Sequence, residues 1–364
     1  MKKILILIVS FSLLVCNSQK TTISENIDGQ WLTVKGNKNG KNIVLISGDE
    51  EYRSEEALPQ FAKILSKRHG FNCTVLFAQN LEKPGIINAN FKSNIAGLQV
   101  LENADMMIIM TRFRALPDSQ MSYIDAYLKT GKPVIGIRTA THAFNFGKDA
   151  DSKFKHYSNG YNGDKSEWKG GFGRLVLGEK WISHHGHHKH QSTKGIVASG
   201  VNTHPITNGI EDGDVWGSTD VYGVRLPLPG DSQPIILGQV MNRKGAYKEE
   251  DVFYGMKPTD DEIATTNKKG ENLNDPMMPV SWIKSYQVPN GKKGKVFTTT
   301  VGSSNDMLLE GTRRLLINSV FWGLDLKVPA KANVDFVGVY IPTAFESRKD
   351  SYWADTLLKV SDYK

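Results

Sequence analysis

The stretch "GEKWISHHGHHKH", residues 178–190, places five of the chain's nine histidines within seven positions, His184 to His190. Imidazoles titrate near neutral pH and ligate metals, so the cluster offers proton transfer, metal binding or hydrogen bonding to polar ligands. In a strand, His184, His188 and His190 would share one face, with His185 and His187 on the other. In a helix His184, His187 and His188 would cluster, although Gly186 tells against a regular helix. Zinc sites favour two or three imidazoles plus a carboxylate. This spacing matches no metal signature and has no acidic ligand nearby in sequence. Hydrogen bonding or proton transfer without a resident metal is therefore the expectation, with zinc as the minority alternative. A plain polar loop accounts for at least Lys189 and His190.

Three other polar groups each follow an apolar run: Asp49–Arg53, Thr111–Arg114 and Arg138–His142. The runs preceding them, "KNIVLIS" (41–47), "DMMIIM" (105–110) and "PVIGI" (133–137), read as strands, as does "CTVLFA" (73–78). Helical patterns separate them: one from Ser54, one around 94–102, and "PDSQMSYIDAYLKTGK" with Pro at its start and Gly131 at its end. Apolar strands alternating with helices imply an α/β fold with a parallel sheet covered by helices on both faces. Ligands in such sheets bind at the carboxyl ends of the strands, which is where the three polar groups fall. Beyond His142 the alternation weakens. "GGFGRLVLG" suggests a short helix; "GIVAS", "QPIILGQVM", "PVSWIKSYQ" and "KVFTTTVG" read as strands; residues 245–278 read as a polar, lid-like excursion. "SSNDMLLEGTRRLLINSVFWGLDL" reads as a capped amphipathic helix.

Lys2 and Lys3 precede an apolar run, residues 4–15, too short to cross a bilayer as a stable helix. This is the form of a secretory signal within residues 1–18. Cys16 is placed for a lipoprotein anchor, and cleavage after Ser18 is the competing reading. Export to the periplasm or to a lipid-anchored outer-membrane position follows, with residues 19–40 as a polar tether. Cys73 is then the one thiol of the body, in an apolar strand run, and is expected to be a small core residue. The formal charge of +7 comes from dispersed basic residues with no basic stripe interleaved with aromatics, so nucleic acid is not an expected partner. An anionic small molecule remains compatible with that charge.

The order and spacing of "IVLISGDEEYRSEEALPQFAKIL", "GKPVIGIRTATHAFNF", "WISHHGHH", "THPITNGI", "GQVM", "PVSWIKSYQ…GKVFTTTVG" and "RRLLINSVFWGL" resemble the ThuA-like (trehalose-utilisation) family over residues 41–326, leaving 327–364 as a tail. The resemblance implies a flavodoxin-like, class I glutamine-amidotransferase-like fold and a role in carbohydrate utilisation, on an oligosaccharide, disaccharide or keto-sugar. Aligning "GIR" with the superfamily's "GIC" puts Arg138 where relatives carry a nucleophilic Cys. A guanidinium cannot attack a carbonyl, so amidotransferase chemistry is excluded there and oxygen binding, with Thr139 and Thr141, is expected. An ion pair from Arg138 to Glu50 or Glu51 is the structural alternative. The resemblance also makes Glu50 a candidate base and His184, His185 and His187 pocket-lining, with His142, His185 or His187 relaying the proton. Arg53 and Arg112 would make the pocket cationic, and Asp220 and Tyr222 would bind. Ser303 stands where many relatives have His, which sets a non-catalytic sugar-binding or scaffold lipoprotein beside the enzyme reading. A metal-dependent hydrolase using His184–His190 is the third alternative.

Overall fold

The computed structural model describes residues 29–37, 40–148, 150–267 and 269–364, so the apolar start and Cys16 lie outside the described residues. Four apolar runs form the strands expected of them: β2 (Asn42–Gly48), β3 (Asn72–Phe77), β4 (Met106–Thr111) and β5 (Val134–Ile137). Helices α1 (Ser54–His69) and α2 (Asp118–Lys129) lie between them. Alternate side chains along the strands go to opposite layers. Leu45, Ile108 and Ile135 join a core with α1, while Val44, Met107 and Ile109 join a second core with α2.

The sheet departs from the all-parallel expectation. Ten strands run in the order β1-β3-β2-β4-β5-β10-β9-β8-β6-β7. Here β1 is Trp31–Val34, β6 Gln191–Val197, β7 Trp216–Gly217, β8 Gln233–Asn242, β9 Met278–Tyr286 and β10 Gly294–Thr299. Only β3-β2-β4-β5-β10 is parallel; β1 and the run from β9 to β7 pair antiparallel. The short link 287–293 explains part of this, because a parallel crossover needs a dozen or more residues and a hairpin does not. β1 also falls inside the stretch expected to be a tether.

The chain leaves β2 for β3 on one side and later crosses to β4 on the other, so a crevice opens at the carboxyl ends of β2 and β4. After α3 (Glu310–Gly323) the tail returns along α1. The backbone oxygen of Asn333 lies 2.7 Å from His69 Nε2, and Thr343 donates N–H and Oγ1–H to the Glu56 carboxylate, both at 2.9 Å. α1 runs antiparallel to β2, so the tail climbs from the foot of the sheet to the crevice. Helix α4 (Asp350–Thr356) completes it.

Candidate functional site

Three turns converge on the crevice. β5 is followed directly by Arg138, whose φ of 47° is left-handed, a conformation a non-glycine residue holds only when its surroundings fix it. They do. The fully buried guanidinium donates from Nη1 to the backbone oxygens of Asp220 (2.8 Å) and Thr300 (2.6 Å). From Nη2 it donates to Tyr52 Oη (3.0 Å) and Asp220 Oδ1 (3.2 Å). The rings of Tyr222 and Tyr52 flank it at 3.7 and 4.4 Å. Arg138 is therefore the strut beneath Asp220, with both its Nη groups engaged by protein, and not the oxygen-binding group expected. The ion pair anticipated with Glu50 or Glu51 is made with Asp220.

Asp220 in turn holds two imidazoles. His184 Nδ1 lies 2.7 Å from Asp220 Oδ2, and His188 Nδ1 lies 3.1 Å from Asp220 Oδ1. The carboxylate is wholly buried, while the His184 and His188 side chains are 39% and 28% exposed, so the pair faces solvent from a fixed base. Burial alone would raise the Asp220 pKa. Hydrogen bonds from His184 and His188, then the Arg138 charge, outweigh that and hold it well below the usual carboxylate range. The backbone explains the convergence. His184 bridges Tyr222, and a turn closed by His190 N–H and Gln191 N–H on the His187 oxygen brings His188 back beside it. Lys189 takes φ 62° in that turn. His188 was absent from the expected site, although either regular spacing put it on the face of His184.

Other expected residues are arranged differently. His185 points its Nε2 at the Leu273 oxygen (2.9 Å), and His187 stacks on His190 at 4.2 Å; neither joins the pair on Asp220. Glu50 is clamped by Arg112 Nη1 (2.7 Å) and by Arg114 Nη2, with Lys92 3.5 Å away, so both its oxygens are held in ion pairs. Arg53 turns from the crevice to Glu55, Glu56 and Tyr352 of the tail. Thr139 donates to Asp49 Oδ2 (2.5 Å) and Thr141 to the Arg138 oxygen (3.3 Å); both are buried and tied internally. His142 is buried against Phe113 and Trp181. Its desolvation, then the charges of Arg112, Arg138 and His184, push its pKa well below the usual value, so it is neutral and no proton donor near neutral pH.

Arg112 stays at the rim, its Nε 3.2 Å from Glu51, and Glu51 Oε1 lies 3.4 Å from His188 Nε2. Trp181 packs edge-on to His184 at 5.8 Å. From the tail, Phe345 stacks on Tyr52 and meets His188 edge-on, both at 5.2 Å. Tyr254, from the polar stretch 245–278, donates its hydroxyl to the Phe345 oxygen. Nothing in the sequence of the tail marked Phe345 for this place. Among the described residues, His184, His188 and Asp220 also form a group whose ligand atoms lie within 4.8 Å of one another, close enough to hold a metal ion.

Cys73 is buried in β3, and burial pushes its thiol up to about 12, which removes it as a nucleophile. The chemistry this arrangement can perform is proton transfer by imidazole, or metal binding by the same three side chains, with no thiol step.

No protein-family model matches the chain, and no curated protein matches its sequence. Among solved structures, one described as a ThuA-like protein from Parabacteroides merdae is similar at a TM-score of 0.44 and 14% identity, over 85% of this chain and 98% of that one. At that distance the likeness assigns neither fold family nor function.

Proposed function

We propose that the chain is an exported carbohydrate-processing protein that moves protons on a sugar or keto-sugar with His184 and His188. The observation that carries this reading is the seating of two solvent-facing imidazoles on one buried, ionised carboxylate. A carboxylate at Nδ1 fixes the tautomer and leaves Nε2 of His184 to accept or donate a proton, while Nε2 of His188 faces Glu51 at 3.4 Å. One imidazole takes a proton from a sugar hydroxyl, and its partner, protonated, returns one to the oxygen that gains charge. Asp220 steadies whichever ring is cationic, and Arg138 keeps Asp220 ionised. The substrate class rests on the sequence resemblance to the ThuA-like family. The parallel order β3-β2-β4-β5-β10 and the left-handed turn at Arg138 are in keeping with its flavodoxin-like fold.

The test is a screen of the purified protein against disaccharides and their 3-keto derivatives, read by mass spectrometry. His184→Ala, His188→Ala and Asp220→Asn should each lower turnover by roughly 10²-fold or more, the scale of a positioned proton-transfer group. His190→Ala should change it little. Equal tolerance of all four would leave a binding protein with no chemistry. Export is checked by fractionation: a cytoplasmic product with Met1 intact would overturn it, and Cys16→Ala should release a lipid-anchored form from the membrane.

The 4.8 Å grouping of His184, His188 and Asp220 favours a second reading, a metal centre. There Glu51 would steady the far nitrogen of His188, as carboxylates do behind metal-bound imidazoles. Under the proton-transfer reading a chelator leaves turnover intact. Inactivation by chelator with recovery on adding zinc decides for the metal.

A further inference from the structure

At the sheet edge remote from β7, the strand β1, the outer side of α1 and the returning tail enclose a groove of about 430 Å³. Leu32, Val34 and Val337 give it an apolar lining, and Lys35, Lys63, Lys67 and Lys364 surround it. These lysines have no carboxylate partner among the described residues, whereas Lys41, Lys129 and Lys295 elsewhere pair with Asp105, Asp125 and Asp325. Four ammonium groups around an apolar lining make a surface complementary to something anionic and amphiphilic.

The tail beside the groove strengthens the case. Val339 and Ile341 are 86% and 85% exposed, the most exposed large apolar side chains among the described residues. They are held outward. Tyr340 between them turns in and donates its hydroxyl to the Ser304 oxygen at 2.7 Å. The segment is pinned below by Arg68, donating to the Phe336 oxygen at 2.8 Å, and above by Glu56 on Thr343. Isolated exposed aliphatics need no explanation, but two on a braced ridge next to unpaired lysines do.

We propose that this face seats on an anionic lipid bilayer, with Val339 and Ile341 entering below the headgroups and the lysines meeting the phosphates. Apolar insertion combined with basic residues is how a chain lies on a membrane without crossing it, and no helix of the described residues is long and apolar enough to cross one. The inference stands apart from the chemistry proposed at His184 and His188.

The test is hydrogen exchange of the full chain with vesicles of phosphatidylcholine alone and of phosphatidylcholine with phosphatidylglycerol. Amides of 336–342 and of the second half of α1 should slow by about tenfold or more only when phosphatidylglycerol is present. Each lysine contributes roughly fivefold to partitioning at an anionic surface, so Lys35→Ala/Lys63→Ala/Lys67→Ala should abolish the slowing. Val339→Asp/Ile341→Asp should abolish it too, with the circular dichroism of the lipid-free protein unchanged to show that the fold survives. Equal slowing on both vesicle types overturns the proposal, as does slowing that appears without vesicles as protein concentration rises, since that marks self-association. No slowing on either vesicle type overturns it as well.

Discussion

At the scale of single residues the site is a chain of compensated charges: His184 and His188 rest on Asp220, and Asp220 rests on Arg138. Removing one partner of a buried pair leaves the other uncompensated, at a typical cost of 3–5 kcal/mol. Arg138→Met should accordingly cost about 3 kcal/mol or more in urea denaturation, far beyond the loss of one surface contact. Asp49 behaves in the opposite sense. Burial, and then the charge of Glu50, raise its pKa from 3.8 to about 6, against the hydrogen bonds it accepts from Thr139 and from the Tyr52 and Glu51 amides. The folded state thus holds this proton more tightly than the unfolded chain. Its contribution to stability is full below pH 3.8 and is lost as pH rises through 6. Asp49→Asn keeps an oxygen for the two amides and cannot ionise. Relative to the parent it should gain on the order of 2 kcal/mol between pH 3.5 and pH 7. Urea midpoints of both proteins across that range measure it, and a constant difference would contradict the assignment.

At the scale of elements, the parallel strands β2, β4 and β5 were legible because each is an apolar run bounded by polar turns. β8 and β9 are apolar in the same manner, so their composition could not announce an antiparallel direction; only the short link 287–293 carried that signal. β1 is four residues in polar surroundings, too short for its alternation to stand out. The histidine segment is neither helix nor strand at its centre, so neither period by itself describes it. What period reasoning retained was the shared face of His184 and His188. What it could not supply was that Asp220, 36 positions away, would be brought beneath them by the pairing of His184 with Tyr222. The turn that returns His188 depends on the left-handed backbone of Lys189, which suggests a paired test. Lys189→Gly removes the strain of that conformation and also a contact of Nζ with the Tyr254 ring at 4.8 Å, so its stability should change by less than about 1 kcal/mol. Lys189→Val puts a β-branched side chain where φ is positive and should cost more than 1 kcal/mol. It should also displace His188, lowering turnover while His184 stays on Asp220. Equal effects of the two would mean that the backbone conformation of the turn is immaterial.

At the scale of the whole molecule, the tail links the proposed chemistry to the fold. The sequence resemblance ended at residue 326, and nothing in the 38 residues that follow carried a motif. They were illegible because their role depends on distant partners: the Glu56 carboxylate for Thr343, the Tyr52 and His188 rings for Phe345, and Arg53 for Tyr352. Each of those partners belongs to a turn, a helix start or a histidine segment that could be read in its own right, but their meeting could not. The result is that Phe345, fully buried, backs the imidazole of His188 while stacking on the tyrosine beneath which Arg138 sits. Truncating it to alanine should cost about 3–5 kcal/mol, the usual range for a buried phenylalanine. That loss alone would not separate packing from positioning. Phe345→Leu does, because it keeps most of the apolar volume and should cost less than about 1.5 kcal/mol. With the flat ring gone, His188 loses its edge contact and its orientation on Asp220. Turnover in Phe345→Leu should therefore fall well beyond what its small loss of stability explains, and the Nδ1 proton that His188 shares with Asp220, followed by NMR, should exchange faster with solvent. Parent-like turnover and unchanged exchange of that proton would reduce the tail to a cover over α1.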